Sequence, residues 1–256
     1  MFRALRIIFL LLILATVAQQ AWLARSRATS WDNTLYVGIY PIAADSSAET
    51  QRYVASLQPD SFNGIDAFFD EEAKRHGLNV WHPVSTRVAP PVADTPPPAP
   101  RHANALEAIL WSLQMRWWAW RHDRIDGPKP GVRLFVLFHD PASNPRLAHS
   151  TGLERGMIGV INAFAHQAMA GSNAMVVAHE LLHTLGATDK YDPATNYPRY
   201  PEGFAEPERD PRLPQDFAEI MGGRIPISAT GAEIPRSLSQ TSVGRETARE
   251  INWLRR

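Results

Sequence analysis

The chemistry-bearing residues stand close together in "HELLHTLGATD", His179 to Asp189. His179 and His183 are four apart, so on a helix of 3.6 residues per turn they share a face, about 6 Å apart along the axis. Two imidazole nitrogens so placed can reach one Zn²⁺ at about 2.0–2.1 Å each. Glu180 lies about 100° round the helix, beside the ion rather than on it. From there its carboxylate can take a proton from a metal-activated water. A catalytic zinc also needs a third protein ligand and an open fourth position. Gly186 lets the chain turn sharply after the second histidine, which can bring the Asp189 carboxylate back as that third ligand. Asp192, Glu206 and Glu219 are alternatives for the same role.

These side chains must be held by a helix, and "SNAMVVAHELLHTLG" (Ser172–Gly186) predicts one. Ser172 or Asn173 can cap its start, and Gly186 offers the left-handed conformation that ends it. Upstream, "NTLYVGIYPI" (Asn33–Ile42) and "GVRLFVLFHD" (Gly131–Asp140) predict strands, the second a buried one. "GMIGVINAFA" (Gly156–Ala165) predicts a third, just ahead of the motif. "SSAETQRYVASLQ" and "FNGIDAFFDEEAKRHGL" have helical character, with Phe62, Ile65, Phe68 and Phe69 as an apolar stripe. A longer helix follows in "ANALEAILWSLQMRWWAWRHDRI", where Leu106, Ile109, Leu110, Leu113, Trp117 and Trp120 recur at helical spacing. That stripe is expected to pack on a sheet, a ligand platform or membrane-interface belt being the other reading of so many tryptophans. Its end, "RHDRID", is expected to be solvated. Six of the thirteen residues in Ala89–Arg101 are proline, which predicts an extended loop inside or beside the domain. The element order argues for an α+β (α/β) sandwich.

The motif as a whole resembles the long zinc signature of the metzincin metallopeptidases, H-E-x-x-H-x-x-G-x-x-H, with aspartate in place of the last histidine. The resemblance is close over His179–Met221 and loose upstream. It implies a mixed sheet backed by a long helix and an active-site helix, then a mostly irregular C-terminal part ending in a helix. It also implies one catalytic zinc held by His179, His183 and Asp189, with Glu180 as general base in amide-bond hydrolysis of a cleft-bound protein or peptide. Met221, in "FAEIMGGRIP", fits the methionine turn that the family places beneath its metal. "TSVGRETAREINWL" fits the helix after that turn, and "GMIGVINAFA" the edge strand against which a substrate would pair. Many members carry tyrosine two residues after the turn methionine, where this chain has Gly223; Tyr191 is a candidate stand-in. A glutamate as third ligand would instead point to a thermolysin-like arrangement. The remaining histidines (His76, His82, His102, His122, His139, His149 and His166) lack ligand spacing.

Composition narrows the setting. Lys plus Arg and Asp plus Glu number 26 each, so no basic excess invites a nucleic acid. There is no cysteine, which excludes disulfides, thiolate zinc sites and a cysteine nucleophile. Residues 1–27 place Arg3 and Arg6 before an apolar run from Ile7 to Ala18, the pattern of a signal peptide or membrane anchor. Residues 28–256 then form the metallopeptidase-like domain, exported and either anchored outside the cytoplasm or secreted, with the membrane as partner through the N-terminal segment. The expected function is zinc-dependent peptide hydrolysis on exported or cell-envelope substrates. The alternative is a catalytically weak or inactive zinc-binding relative serving as a membrane-attached binding or assembly module.

Overall fold

The computed structural model describes residues 6, 15–16, 19, 23, 25–100, 104–147, 151–153 and 157–254. The segment 1–27 read as a signal peptide or anchor lies largely outside them, as do His102 and His149. Among the described residues no helix is long and apolar enough to cross a membrane.

Five strands form the main sheet: β1 (Leu35–Ala43), β2 (Val84–Val88), β3 (Val132–His139), β4 (Thr151–Leu153) and β5 (Ile158–Phe164), in the order β2-β1-β3-β5-β4. The first four in that order run parallel, and β4 pairs antiparallel with β5. β1 and β3 are near-continuous apolar runs because helices cover both of their faces. The protein is thus a mixed α/β structure at this level.

On one face lie α1 (Ala48–Ser56), α2 (Asn63–Arg75) and α4 (Ala170–Leu185). Val37, Ile39, Leu134, Val136, Phe138 and Ile161 of the sheet share one core with Tyr53 and Val54 of α1, Ile65 and Phe69 of α2, and Val177 and Leu181 of α4. The Ser47 hydroxyl caps α1 by accepting from the Thr50 amide at 3.0 Å. The stripe expected on α2 is buried, Phe62, Ile65, Phe68 and Phe69 all lying in this core.

The other face carries α3 (Ala105–His122), started by a capping box between Asn104 and Glu107. Here the sequence expectation is overturned. Leu106, Ile109, Leu110, Leu113, Trp117 and Trp120 are all exposed, Leu106 at 65% and Trp120 at 74%. The sheet is met instead by Met115, Trp118 and Ala119, packed on Tyr40, Ile42, Phe135 and Ile158. At about 100° per residue these three lie on the opposite side of the helix from the stripe. Trp118 packs edge-on against Phe135, ring centroids 4.7 Å apart, and Ala119 allows the close approach. "RHDRID" is also more than a solvated end: Asp123 accepts from the Arg133 guanidinium at 2.6 and 2.8 Å and from the Tyr40 hydroxyl. The proline-rich loop packs at its start, where the Ala89 and Val92 amides donate to the Ile39 and Pro41 carbonyls of β1 at 2.8 and 2.9 Å.

Two smaller corrections concern strand and cap. β5 is not the sheet edge, because β4 lies outside it. Neither Ser172 nor Asn173 caps α4, which begins at Ala170 after a 3-10 turn, Gln167–Met169. Asn173 instead locks α4 to β5: its side-chain amide donates to the Phe164 carbonyl at 2.8 Å and its oxygen accepts from the Phe164 amide at 3.1 Å. Past α4 the chain is mostly irregular, with short pairings Ala218–Glu219 (β6) to Thr241–Ser242 (β9) and Ile225–Pro226 (β7) to Ala232–Glu233 (β8). It ends in α5 (Arg245–Glu250).

Candidate metal centre

α4 is buried on nearly every side, Met175, Val177, Leu181, Leu182 and Thr184 included, and His179 and His183 are its half-buried residues near the C-terminal end. The two rings are nearly perpendicular, at 86°, with centroids 4.7 Å apart. His179 Nδ1 lies 2.9 Å from the Ile220 carbonyl, and His183 Nδ1 lies 2.8 Å from the Ala187 carbonyl. A carbonyl oxygen can only accept, so each Nδ1 is the protonated donor. In the neutral rings each Nε2 then presents its lone pair inward, the arrangement that orients metal-binding histidines.

Gly186 ends α4 at φ 107°, a conformation that costs a residue with a side chain about 1–2 kcal/mol. The chain then doubles back and sets Asp189 Oδ1 3.0 Å from His183 Nε2 and 3.3 Å from His179 Nε2. That oxygen is buried and has no hydrogen-bond partner among the described residues. With both rings neutral, three acceptor atoms converge on one point, which a proton on either ring or a bound cation would satisfy. Glu180, almost fully buried, completes the group: one ligand atom each from His179, Glu180 and His183 lie within 4.8 Å of one another, and the cluster could hold a metal ion.

Burial would raise the Asp189 pKa, but the two imidazoles outweigh it and hold the carboxyl far below the usual carboxylate range. His183 is raised, burial being overcome by Asp189 and by the Ala187 carbonyl. Tyr191 stands beside Asp189; burial and that carboxylate push its phenol up to about 12. A Cβ built on Gly223 would lie 4.0 Å from the Tyr191 ring, so the two positions are neighbours.

Met221 is fully buried in the same core as α4. Its turn reaches the segments of both His179 and Asp189 through backbone: the Ile220 carbonyl holds His179, and the Met221 carbonyl accepts from the Lys190 amide at 2.9 Å. The alternative carboxylates are engaged elsewhere. Asp192 caps a local turn through the Ala194 amide at 2.7 Å, and Glu206 pairs with Arg209 at 3.0 Å. Glu219 is buried and accepts from the Gly222 amide, the Gly244 amide and the Thr247 hydroxyl, which ties the methionine turn to the start of α5.

Sequence reasoning missed the groups that hold Asp189 in place. The Glu250 carboxylate, at the end of α5, accepts from the Thr188 amide at 3.0 Å, the Thr188 hydroxyl at 2.6 Å and the Lys190 ammonium at 2.6 Å. Lys190 is almost wholly buried. Arg199 donates to the Asp189 carbonyl at 2.6 Å. Gly203 lies so close to this segment that a Cβ would fall 2.1 Å from the Lys190 carbonyl. No local pattern points to Glu250, which lies 60 or more residues beyond its partners.

No known protein family matches the chain, and no curated protein matches it either.

Proposed function

We propose that this protein is a metzincin-like zinc peptidase that hydrolyses exported or cell-envelope proteins or peptides, attached to the membrane or released from it. The observation that carries the proposal is the convergence of three acceptors, His179 Nε2, His183 Nε2 and Asp189 Oδ1, with the buried Glu180 carboxylate alongside. The donor set suits zinc. Neighbouring ligands of a tetrahedral ion with bonds of about 2.0–2.1 Å stand roughly 3.3 Å apart, against 3.0 and 3.3 Å here.

When bound, zinc would polarise the scissile carbonyl and acidify a water at its open position. Glu180 would accept the proton of that water and hand it to the departing amine. The Nδ1 bonds to Ile220 and Ala187 keep both imidazoles in the ligating tautomer throughout. Tyr191, neutral across the physiological range, is a donor toward the developing oxyanion, taking from another segment the place that Gly223 leaves empty. β4, the outermost strand on that side of the sheet, would be the one on which an extended peptide pairs.

The test is metal analysis of the full chain together with Glu180→Gln. The native chain should carry one zinc and cleave a mixed-peptide substrate. Glu180→Gln should keep the zinc and lose about 10²–10⁴-fold in turnover. A protein that takes up no zinc, or a variant as active as the parent, overturns the proposal.

A further inference from the structure

α3 is apolar on two opposite sides, and the sheet covers only one of them. A helix that presents an apolar stripe normally buries it against another surface. The uncovered stripe runs from Leu106 to Trp120, about 21 Å at 1.5 Å per residue. Its side chains span about 100° of the helix surface, and a patch of this size marks an interaction surface rather than chance exposure.

We propose that this face of α3 docks on the surface of an anionic lipid bilayer, lying in the interfacial layer rather than crossing it. Its largest side chains are Trp117 and Trp120, exposed at 55% and 74%. Tryptophan combines a broad apolar ring with one polar N–H and concentrates at membrane–water boundaries. Arg116 and Arg121 sit about 20° beyond the two margins of the stripe. Arg121 stacks over Trp117 at 5.5 Å, and Arg124 follows, exposed, just past the helix. Long cationic side chains at the edges of an apolar face bury their stems and leave their charge among headgroups. The helix's one acidic residue, Glu107, is committed to the capping box.

The same residues argue against a second copy of the chain. Leu106, Leu110, Leu113, Trp117 and Trp120 follow the alternating four-three spacing of a coiled-coil seam. Parallel pairing through it would set Arg116 against Arg121 of the partner, like charge on like charge. Access to lipid rests on the N-terminal apolar segment, expected from sequence to bring the chain to a membrane. The surface is independent of the metal centre, which lies on the opposite face of the sheet.

The test uses the full chain, whose lack of cysteine lets a single introduced thiol carry a fluorophore. Leu113→Cys bears an environment-sensitive dye at the middle of the stripe. Ala55→Cys, exposed on α1 across the sheet, serves as control. Because the N-terminal segment can bind vesicles unaided, dye depth is measured rather than co-sedimentation. In phosphatidylcholine–phosphatidylglycerol vesicles the dye at position 113 should brighten several-fold and be quenched by nitroxide on lipid chains. The dye at position 55 should do neither. Arg121→Glu with Arg124→Glu, or phosphatidylcholine alone, should weaken the response. An unshifted dye at position 113, or equal responses at both positions, overturns the proposal. So does a response that fades when protein is diluted in excess lipid, which would assign the face to a second copy.

Discussion

The clamp on the Asp189 loop makes a quantitative prediction. Glu250→Ala removes the acceptor for three donors, one of them the buried Lys190 ammonium. Breaking a buried pair from one side costs about 3–5 kcal/mol. Lys190 keeps the Thr188 carbonyl at 3.0 Å and its hydroxyl at 3.4 Å, which sets the expectation at the lower end, about 3 kcal/mol. The loss falls on residues 188–190, so it should act as loop opening and draw Asp189 away from His179 and His183, where the proposed zinc would sit. About 3 kcal/mol corresponds to roughly a hundredfold weaker zinc affinity. Affinity is read by competition with a fluorescent chelator, and stability by urea unfolding of the metal-free chain. Glu250→Gln, which keeps a neutral acceptor, should cost about 1–2 kcal/mol. Lys190→Met combined with Glu250→Leu should regain stability but not affinity, since Thr188 remains untied. Unchanged zinc affinity in Glu250→Ala, whatever happens to stability, would refute the positioning role of the clamp.

Three further outcomes are expected. Asp189→Ala should lower zinc content far more than Asp192→Ala, measured by elemental analysis after dialysis; the reverse would reassign the third ligand. Asn173→Ala strips both bonds from the Phe164 backbone and should destabilise by about 2–3 kcal/mol in urea unfolding; a value near zero would mean that α4 does not depend on this lock. Asp45 is held below the usual carboxylate range: burial opposes, but the amides of Ser47 and Asp140 and the Ser47 and Thr50 hydroxyls prevail. Its stabilisation is therefore present above about pH 3.9 and is lost as pH falls through the lower folded value. Asp45→Asn should lower stability across the neutral region and converge with the parent at low pH, which flattens the acid limb of a stability–pH profile; an unaltered acid limb would count against it.

Much of the site was legible before the fold was known. Helical period placed His179 and His183 on one face, and Gly186 marked the left-handed stop; both are local backbone facts. The nearness of Asp189 to the two rings was legible only as an offset from a glycine, because the return path depends on Arg199, Glu250 and the Met221 carbonyl. The buried role of Glu219 was not legible at all. A carboxylate near a histidine motif has the composition of a ligand, and only the approach of Gly244 and Thr247 turns it into a tie between segments.

The same division runs through α3. By itself the chain determined that residues 105–122 are helical and where the apolar side chains fall, since both follow from 3.6 residues per turn. Which apolar face meets the sheet was decided in three dimensions. Periodicity counts side chains, whereas packing selects a shape. Met115, Trp118 and Ala119 fit the surface offered by Tyr40, Ile42 and Phe135, and a longer, bulkier stripe was left facing outward.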